Sequence, residues 1–276
     1  MSPNSQEQSL DLTWIEYLSR YSAPVEFPSG WRIRLAVHYL GGLRHWMNWE
    51  VADIGIIVRY RTPESVFMRK VALLQSKRLH PTNRRLPDET RSDFEVGFAR
   101  LDDPEDDRES LGREREFQFK EQSRYREIEH GSDQIEAIDA YEAARHLHVY
   151  YQLYNPWEIP LKRTVPLVRY KPPSGNPPLG VRIARASAVH ALLSQTNRIP
   201  QLSDLASLSD APRYGWRLEV FIRDLLRCRQ GDVVTKDDDR LSALFYRRSG
   251  PIAAAISISV EAPDQRHIES VLGQLG

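Results

Sequence analysis

The chain has 276 residues, 41% of them hydrophobic and 28% charged, and its 38 Lys and Arg residues balance 38 Asp and Glu residues. This composition is typical of a globular protein, and no segment reaches the roughly 18 uninterrupted apolar residues of a membrane-spanning helix. Cys228 is the only cysteine, which excludes an intramolecular disulfide and a multi-cysteine zinc site and favours a cytoplasmic location.

The N-terminal segment is expected to begin with a tail and two helices. Residues 1–10 are polar and are predicted to be a disordered tail, without the apolar core of a signal peptide. Asp11 is a suitable cap for a first helix, because apolar residues follow it at helical spacing. A second helix is predicted to begin at Ser29-Gly30 and to continue through Leu43.

Two short segments rich in β-branched residues follow and predict a pair of strands, residues 49–58 and 70–78. Polar residues occur in both, with Asp53 in the first and Gln75 and Lys77 in the second. Residues two apart on a strand project from the same face, so Gln75 and Lys77 are expected to point the same way. A paired Asp53 would face them.

These three residues have a common chemical use. Carboxylate and amide oxygens suit Mg²⁺ or Mn²⁺, and a nearby lysine offsets charge on a phosphate or orients a water molecule. The pattern of Asp53, Gln75 and Lys77 resembles the PD-(D/E)XK nuclease superfamily, in the branches where Gln replaces the second acid. The resemblance implies metal-dependent hydrolysis of DNA phosphodiesters, with Asp53, Gln75 and Glu50 as metal ligands and Lys77 in the catalytic step. The alternative is that the strand pair is purely structural.

Basic residues surround this candidate site, although the net charge of zero argues mildly against a nucleic-acid-binding protein. Residues 59–85 contain many more basic than acidic residues, and Arg78, Arg84 and Arg85 are candidates for nucleic-acid contacts. Residues 86–112 are polar and are predicted to be an insertion.

The rest of the chain alternates between predicted strands and helices, with a break at the Pro- and Gly-rich residues 172–178. We predict a strand at 117–119 followed by a helix, a helix from Ser132 to Leu153, a strand at 179–183, a helix at 184–195, a helix at 214–229, a short helix near 241–245 and a buried strand at 252–260.

The predicted fold is therefore mixed α+β, with a restriction-endonuclease-like domain at residues 11–171 and a C-terminal α/β lobe at residues 179–276. By resemblance, the function is DNA cleavage in restriction or antiphage defence, beside a partner protein that senses or unwinds DNA. The alternative function is a non-catalytic interaction or nucleic-acid-binding subunit with a nuclease-like fold, which would use the aromatic segment 150–160 and the helix 214–229.

Overall fold

The computed structural model describes residues 7–39, 51–83, 115–165, 179–208, 211–235, 252–264 and 266–267. In these ranges the chain forms a large mixed sheet of nine strands, a smaller sheet of three strands, and helices, which agrees with the predicted mixed α/β class. Within the described ranges, the helices are all too short or too polar to cross a membrane.

The described ranges contain four α-helices and twelve strands. The helices are α1 (Glu7–Ser19), α2 (Asp133–Arg145), α3 (Ala186–Thr196) and α4 (Leu218–Leu226). The strands are β1 (Val25–Glu26), β2 (Arg32–Tyr39), β3 (Ala52–Arg61), β4 (Val66–Arg78), β5 (Thr82–Asn83), β6 (Arg115–Phe119), β7 (Val149–Tyr154), β8 (Leu161–Val165), β9 (Arg182–Arg185), β10 (Trp216–Arg217), β11 (Asp232–Val234) and β12 (Ile252–Glu261).

The large sheet has the strand order β1-β2-β12-β3-β4-β7-β9-β10, and β11 pairs with β4. Two of its pairings are parallel, β12 with β3 and β4 with β7, and the remaining pairings are antiparallel. The small sheet has the order β5-β6-β8. The central strands β3 and β4 are buried because strands and helices cover them on all sides.

The large sheet has two apolar faces, because side chains alternate between the faces along each strand. On the front face, Leu73 and Tyr151 belong to one core cluster, which α2 and α3 cover. On the back face, Leu74 and Tyr150 belong to a second cluster, which α1 and α4 cover. Burial on both faces explains why β3, β4 and β7 are almost continuously hydrophobic.

The helix predicted from Ser29 to Leu43 is wrong over its described part, because residues 32–39 form β2. This strand pairs antiparallel with β12 over eight residues. The sequence from Arg32 to His38 alternates between polar and apolar residues, a period of two that fits a half-covered strand. The glycines and the helix-forming leucines nearby made this two-residue alternation harder to recognise in the sequence.

The helix predicted from Ser132 to Leu153 is too long. The helix α2 ends at Arg145, and His146 adopts a left-handed conformation with φ 53° and donates its backbone N–H to the Glu142 carbonyl. Residues 149–154 then form β7, which is buried at every position. Valine, tyrosine and leucine at consecutive buried positions favour a strand, because both faces of β7 are covered.

Two strands of the predicted C-terminal lobe, residues 179–276, pair with strands of the predicted nuclease-like domain. The strand β9 pairs with β7, and the strand β12 pairs with β3 over nine residue pairs. Both strands therefore belong to the sheet that contains Asp53. The break predicted at 172–178 lies outside the described residues.

Smaller corrections concern the ends of elements. The helix α1 begins at Glu7, so part of the tail predicted at residues 1–10 is helical. The helix predicted at 214–229 is limited to Leu218–Leu226, because Gly215 has a positive φ and residues 216–217 form β10. The strands predicted at 117–119 and 252–260 are confirmed. The first of them belongs to the small sheet, and turns follow it where a helix was predicted. The helix predicted near 241–245 lies outside the described residues.

Candidate functional site

The structure brings Asp53 and Gln75 together across the β3–β4 pair. Ile54 lies opposite Leu74 in this antiparallel pair, so Asp53 and Gln75 stand side by side on the front face. Gln75 Nε2 donates to Asp53 Oδ2 at 2.6 Å, and the backbone N–H of Ser76 donates to the same oxygen at 2.7 Å. The Asp53 carboxylate is therefore fixed in position by β4.

Lys77 lies on the same face, two residues beyond Gln75 in β4. Its side chain is almost completely buried, and its Nζ lies 3.8 Å from Oε2 of Glu7 at the start of α1. The other Glu7 oxygen, Oε1, accepts the backbone N–H of Arg78 at 2.9 Å. Glu7 thus links the first turn of α1 to the end of β4, and it places a second carboxylate near Lys77.

Gln75 has an unsatisfied acceptor. Its side chain is 3% exposed, and Oε1 is buried without a hydrogen-bond partner in the described part of the chain. Rotating the amide by half a turn would place Oε1 against the Asp53 carboxylate and remove the Nε2 hydrogen bond, so the amide orientation is determined by Asp53. A buried acceptor without a partner costs about 1–3 kcal/mol, and water or a cation would remove that cost.

Burial raises the pKa of Glu7 to about 7. Lys77 and the Arg78 N–H lower the pKa, whereas the nearby Glu127 and Asp11 raise it further. A carboxyl group with such a pKa is half-protonated near neutral pH, and a positive charge placed beside it would favour its ionised form. Glu7, Asp11 and Glu127 are therefore close enough to influence one another's ionisation around Lys77.

A second polar cluster lies on the back face, directly behind Gln75 and Lys77. Asp11 of α1 accepts hydrogen bonds at Oδ1 from Ser76 Oγ (2.6 Å), Tyr154 OH (2.6 Å) and Gln152 Nε2 (3.4 Å). Burial raises the Asp11 pKa to about 6, although the hydrogen bonds from Ser76 and Tyr154 oppose the rise. We call these four residues the Asp11 cluster.

Beyond the end of β4, His80 forms a close pair with Glu127. His80 Nε2 lies 2.5 Å from Glu127 Oε1, and Arg78 Nη2 lies 3.3 Å from His80 Nδ1. Burial alone would raise the Glu127 pKa, but the hydrogen bond and charge of His80 bring it below its usual value. Arg78 is thus half-buried in a side-chain network.

Three of the predicted site residues, Glu50, Arg84 and Arg85, lie outside the described residues. In the described ranges there is no group of three His, Cys, Asp or Glu side chains arranged to hold a metal ion. The predicted site residues that the structure describes on the front face are therefore Asp53, Gln75 and Lys77, with Glu7 beside Lys77.

Sequence reasoning missed Glu7 and Asp11, the two carboxylates that α1 contributes. They are four residues apart and therefore lie on one face of α1. This spacing was a usable signal, because Ile15 continues the same face and is buried. The residues that Glu7 and Asp11 contact lie 65 or more positions away in sequence, which no local pattern indicates.

The aromatic segment 150–160 is mostly core. The tyrosines of β7 are buried between neighbouring strands, whereas Trp157 is 56% exposed. Searches for similar proteins give no further identification: no family model, no curated protein and no solved structure matches this chain.

Proposed function

We propose that this chain is a metal-dependent phosphodiesterase that acts on DNA, with its active site at Asp53, Gln75 and Lys77. The observation that supports it best is the buried, unpartnered Oε1 of Gln75 beside the fixed carboxylate of Asp53. The amide that carries this acceptor is held against the carboxylate through Nε2, so the two neighbouring side chains offer two hard oxygen donors. Such donors favour Mg²⁺ or Mn²⁺ over zinc.

The donor set fits magnesium in number as well as in type. Mg²⁺ usually keeps several water ligands and binds one or two protein carboxylates, so Asp53 and Gln75 Oε1 are sufficient protein donors. Glu50, outside the described residues, is a further candidate. When bound, the cation would polarise the phosphate and favour ionisation of a water molecule.

The chain's own residues have separate roles in this proposal. Asp53 supplies the negative charge that attracts the cation, and Gln75, whose Nε2 is bonded to Asp53, presents its Oε1. Lys77 offsets the charge that develops on the phosphate, which requires that its ion pair with Glu7 be exchanged for the substrate. A role in restriction or antiphage defence in the cytoplasm, with a partner protein, remains a prediction of the resemblance.

A non-catalytic subunit that binds nucleic acid or protein is the second candidate. It is favoured by the burial of Gln75 and Lys77 and by the two hydrogen bonds that already occupy Asp53 Oδ2. In that function, the three residues would only join β3, β4 and α1. The exposed Trp157 would then be a contact residue.

A cleavage assay separates the two functions. Purified protein is incubated with plasmid DNA and with single-stranded DNA in the presence of Mg²⁺, Mn²⁺ or EDTA. The phosphodiesterase proposal predicts cleavage with either metal, none with EDTA, and none by Asp53→Asn, whereas the surface control Asp133→Asn keeps wild-type activity. DNA binding without cleavage in every metal would favour the non-catalytic function.

A further inference from the structure

The structure contains a cleft away from Asp53, near the end of the large sheet formed by β9 and β10. It has a volume of about 330 Å³, at the small end of the range for ligand-binding pockets. Its apolar part consists of Ile159, Leu179 and Leu202. Its polar and aromatic part consists of Glu121, Glu158, Arg182, Arg213 and Tyr214.

Arg182 is the most constrained cation in this cleft. Its Nε donates to the Leu179 carbonyl at 2.7 Å, and its Nη1 lies 3.4 Å from the Gly215 carbonyl. Burial lowers the pKa of its guanidinium, and the charge of neighbouring Arg217 lowers it further. A ligand anion at Arg182 would oppose both effects, because it stabilises the charged guanidinium.

Register places Arg182 on the same face as Lys77. Lys77 pairs with Leu153, and Leu153 pairs with Arg182. Paired residues in neighbouring strands project from the same face, so Lys77 and Arg182 are both on the front face, about 10 Å apart across two strand spacings. The cleft is therefore on the side of the sheet that contains the proposed active site.

Tyr214 forms a rigid aromatic wall. Its φ of 65° is in the left-handed region, which a bulky residue rarely adopts. The following Gly215 cannot be replaced without a clash, because an added Cβ would lie 2.4 Å from the Ile183 carbonyl oxygen. Tyr214 OH donates to Glu121 at 2.9 Å, and the Arg213 guanidinium lies over the ring, 4.8 Å from its centre, so a base that stacks on this face takes the place of Arg213. Strained residues held in this way concentrate at ligand sites.

We propose that the cleft binds one nucleotide, with its phosphate at Arg182 and its base against Tyr214. An apolar floor, a fixed aromatic ring and a half-buried guanidinium match a planar, singly phosphorylated ligand. The carboxylates of Glu121 and Glu158 line the same space and oppose a ligand with several phosphates. This binding goes beyond the proposed hydrolysis and does not depend on it.

Two kinds of ligand carry this phosphate and base, a free nucleoside monophosphate and one nucleotide of a single strand. Isothermal titration of the full chain would use AMP, adenosine, inorganic phosphate and a short single-stranded oligothymidylate as probes. The test variants are Tyr214→Asn, which removes the ring but tolerates the left-handed backbone, and Arg182→Gln. The matched control is Arg223→Gln, an exposed arginine of α4 on the back face.

The proposal predicts that AMP binds more tightly than adenosine and than phosphate. Tyr214→Asn should weaken AMP binding by roughly tenfold, the effect of losing one stacked base, and Arg182→Gln should weaken it by at least as much. Arg223→Gln should bind as the wild type does. An oligothymidylate that binds more tightly than AMP identifies a strand as the source, and equal or weaker binding identifies the free nucleotide.

No AMP binding at millimolar concentration, or equal binding by the wild type and Tyr214→Asn, would overturn the proposal. If Arg182→Gln fails to fold, Tyr214→Asn alone tests the proposal, since the Tyr214 side chain lies on the surface of the cleft. The result is independent of the metal site, because Asp53→Asn should retain AMP binding whether or not the wild type cleaves DNA.

Discussion

The end of β4 carries two polar clusters on opposite faces of one strand. On the front face, Gln75 and Lys77 lie beside Asp53. On the back face, Ser76 belongs to the Asp11 cluster. Both clusters are buried, both contain a carboxylate, and α1 contributes a residue to each side. They differ in charge, because the front cluster contains Lys77 and the Asp11 cluster contains no basic side chain.

In the Asp11 cluster, three donors converge on one oxygen, and α1 covers the group. In the front cluster, Asp53 Oδ2 accepts two hydrogen bonds, and Lys77 lies on the same face. Each cluster contains a glutamine whose buried Oε1 has no partner in the described ranges, Gln75 in front and Gln152 behind, and such an acceptor calls for a bound water or ion. The lysine is therefore the feature that favours a functional role for the front cluster, whereas the three hydrogen bonds to Asp11 favour a structural role for the back cluster.

The largest expected effect distinguishes the two carboxylates. Asp53→Ala should abolish divalent-cation binding and reduce DNA cleavage by roughly 1,000-fold or more, since it removes the only charged ligand of the proposed pair. Asp11→Asn should cleave at close to the wild-type rate. Single-turnover cleavage with Mg²⁺ measures both variants. Equal losses of activity in folded forms of the two would show that the clusters do not differ in role.

The next effect is on stability. Asp11→Ala should lower the free energy of unfolding by about 3 kcal/mol, because Ser76, Tyr154 and Gln152 lose a shared buried acceptor. Asp11→Asn retains one acceptor oxygen and should therefore lower the free energy of unfolding by less. Urea denaturation at pH 7 compares the two with wild type. A cost below about 0.5 kcal/mol for the alanine variant would contradict the structural role of this cluster.

A third effect concerns catalysis by Lys77. Lys77→Ala should keep cation binding but slow cleavage by roughly 100-fold, the usual scale for removing one charge-stabilising group. The exposed Lys120→Ala provides a charge-matched control. Cleavage rates at saturating Mg²⁺ are the measurement, and wild-type cleavage by Lys77→Ala would remove the proposed mechanism.

The smallest effect is a pH dependence that comes from Glu7. Its pKa is raised to about 7 in the folded chain, from a usual value of 4.5, so the folded state binds the proton more tightly. Glu7 therefore contributes most to stability below pH 4.5, and that contribution is lost as the pH rises to about 7. Solvent reaches part of the carboxylate, so we expect a change of about 2 kcal/mol relative to Glu7→Gln.

Urea denaturation of wild type and Glu7→Gln at several pH values between 4.5 and 7.5 measures this dependence. The exposed Glu16→Gln on the same helix is the control and should follow wild type. Parallel stability curves for wild type and Glu7→Gln would show that the Glu7 pKa is not raised by folding.

Local sequence pattern predicted the central strands well. The β-branched runs of β3 and β4 and the two-residue spacing of Gln75 and Lys77 indicated both the strand pair and the shared face. These features depend on neighbours within a few residues, so the sequence carries them directly. The Asp53–Gln75 contact followed once the two strands were paired in register.

Features that depend on distant partners were not predictable in the same way. The sequence of β2 predicted a helix because its pairing with β12 is distant, and β12 itself pairs with β3, 200 positions earlier (Ile252 with Ala52). The pairing of β12 with β3 across the predicted domain boundary is distant in the same way. Glu7 and Asp11 could not be recognised as site residues, because the packing of α1 against β4 brings them there.

Divalent-cation binding to the front cluster tests the central claim most directly. Mn²⁺ binding, measured by electron paramagnetic resonance on purified wild-type protein, should show one site that Asp53→Asn loses and that Gln75→Glu strengthens, since the added carboxylate supplies charge to the same position. Asp11→Asn should retain the site. No Mn²⁺ binding at millimolar concentration, or binding that Asp53→Asn leaves unchanged, would contradict the account.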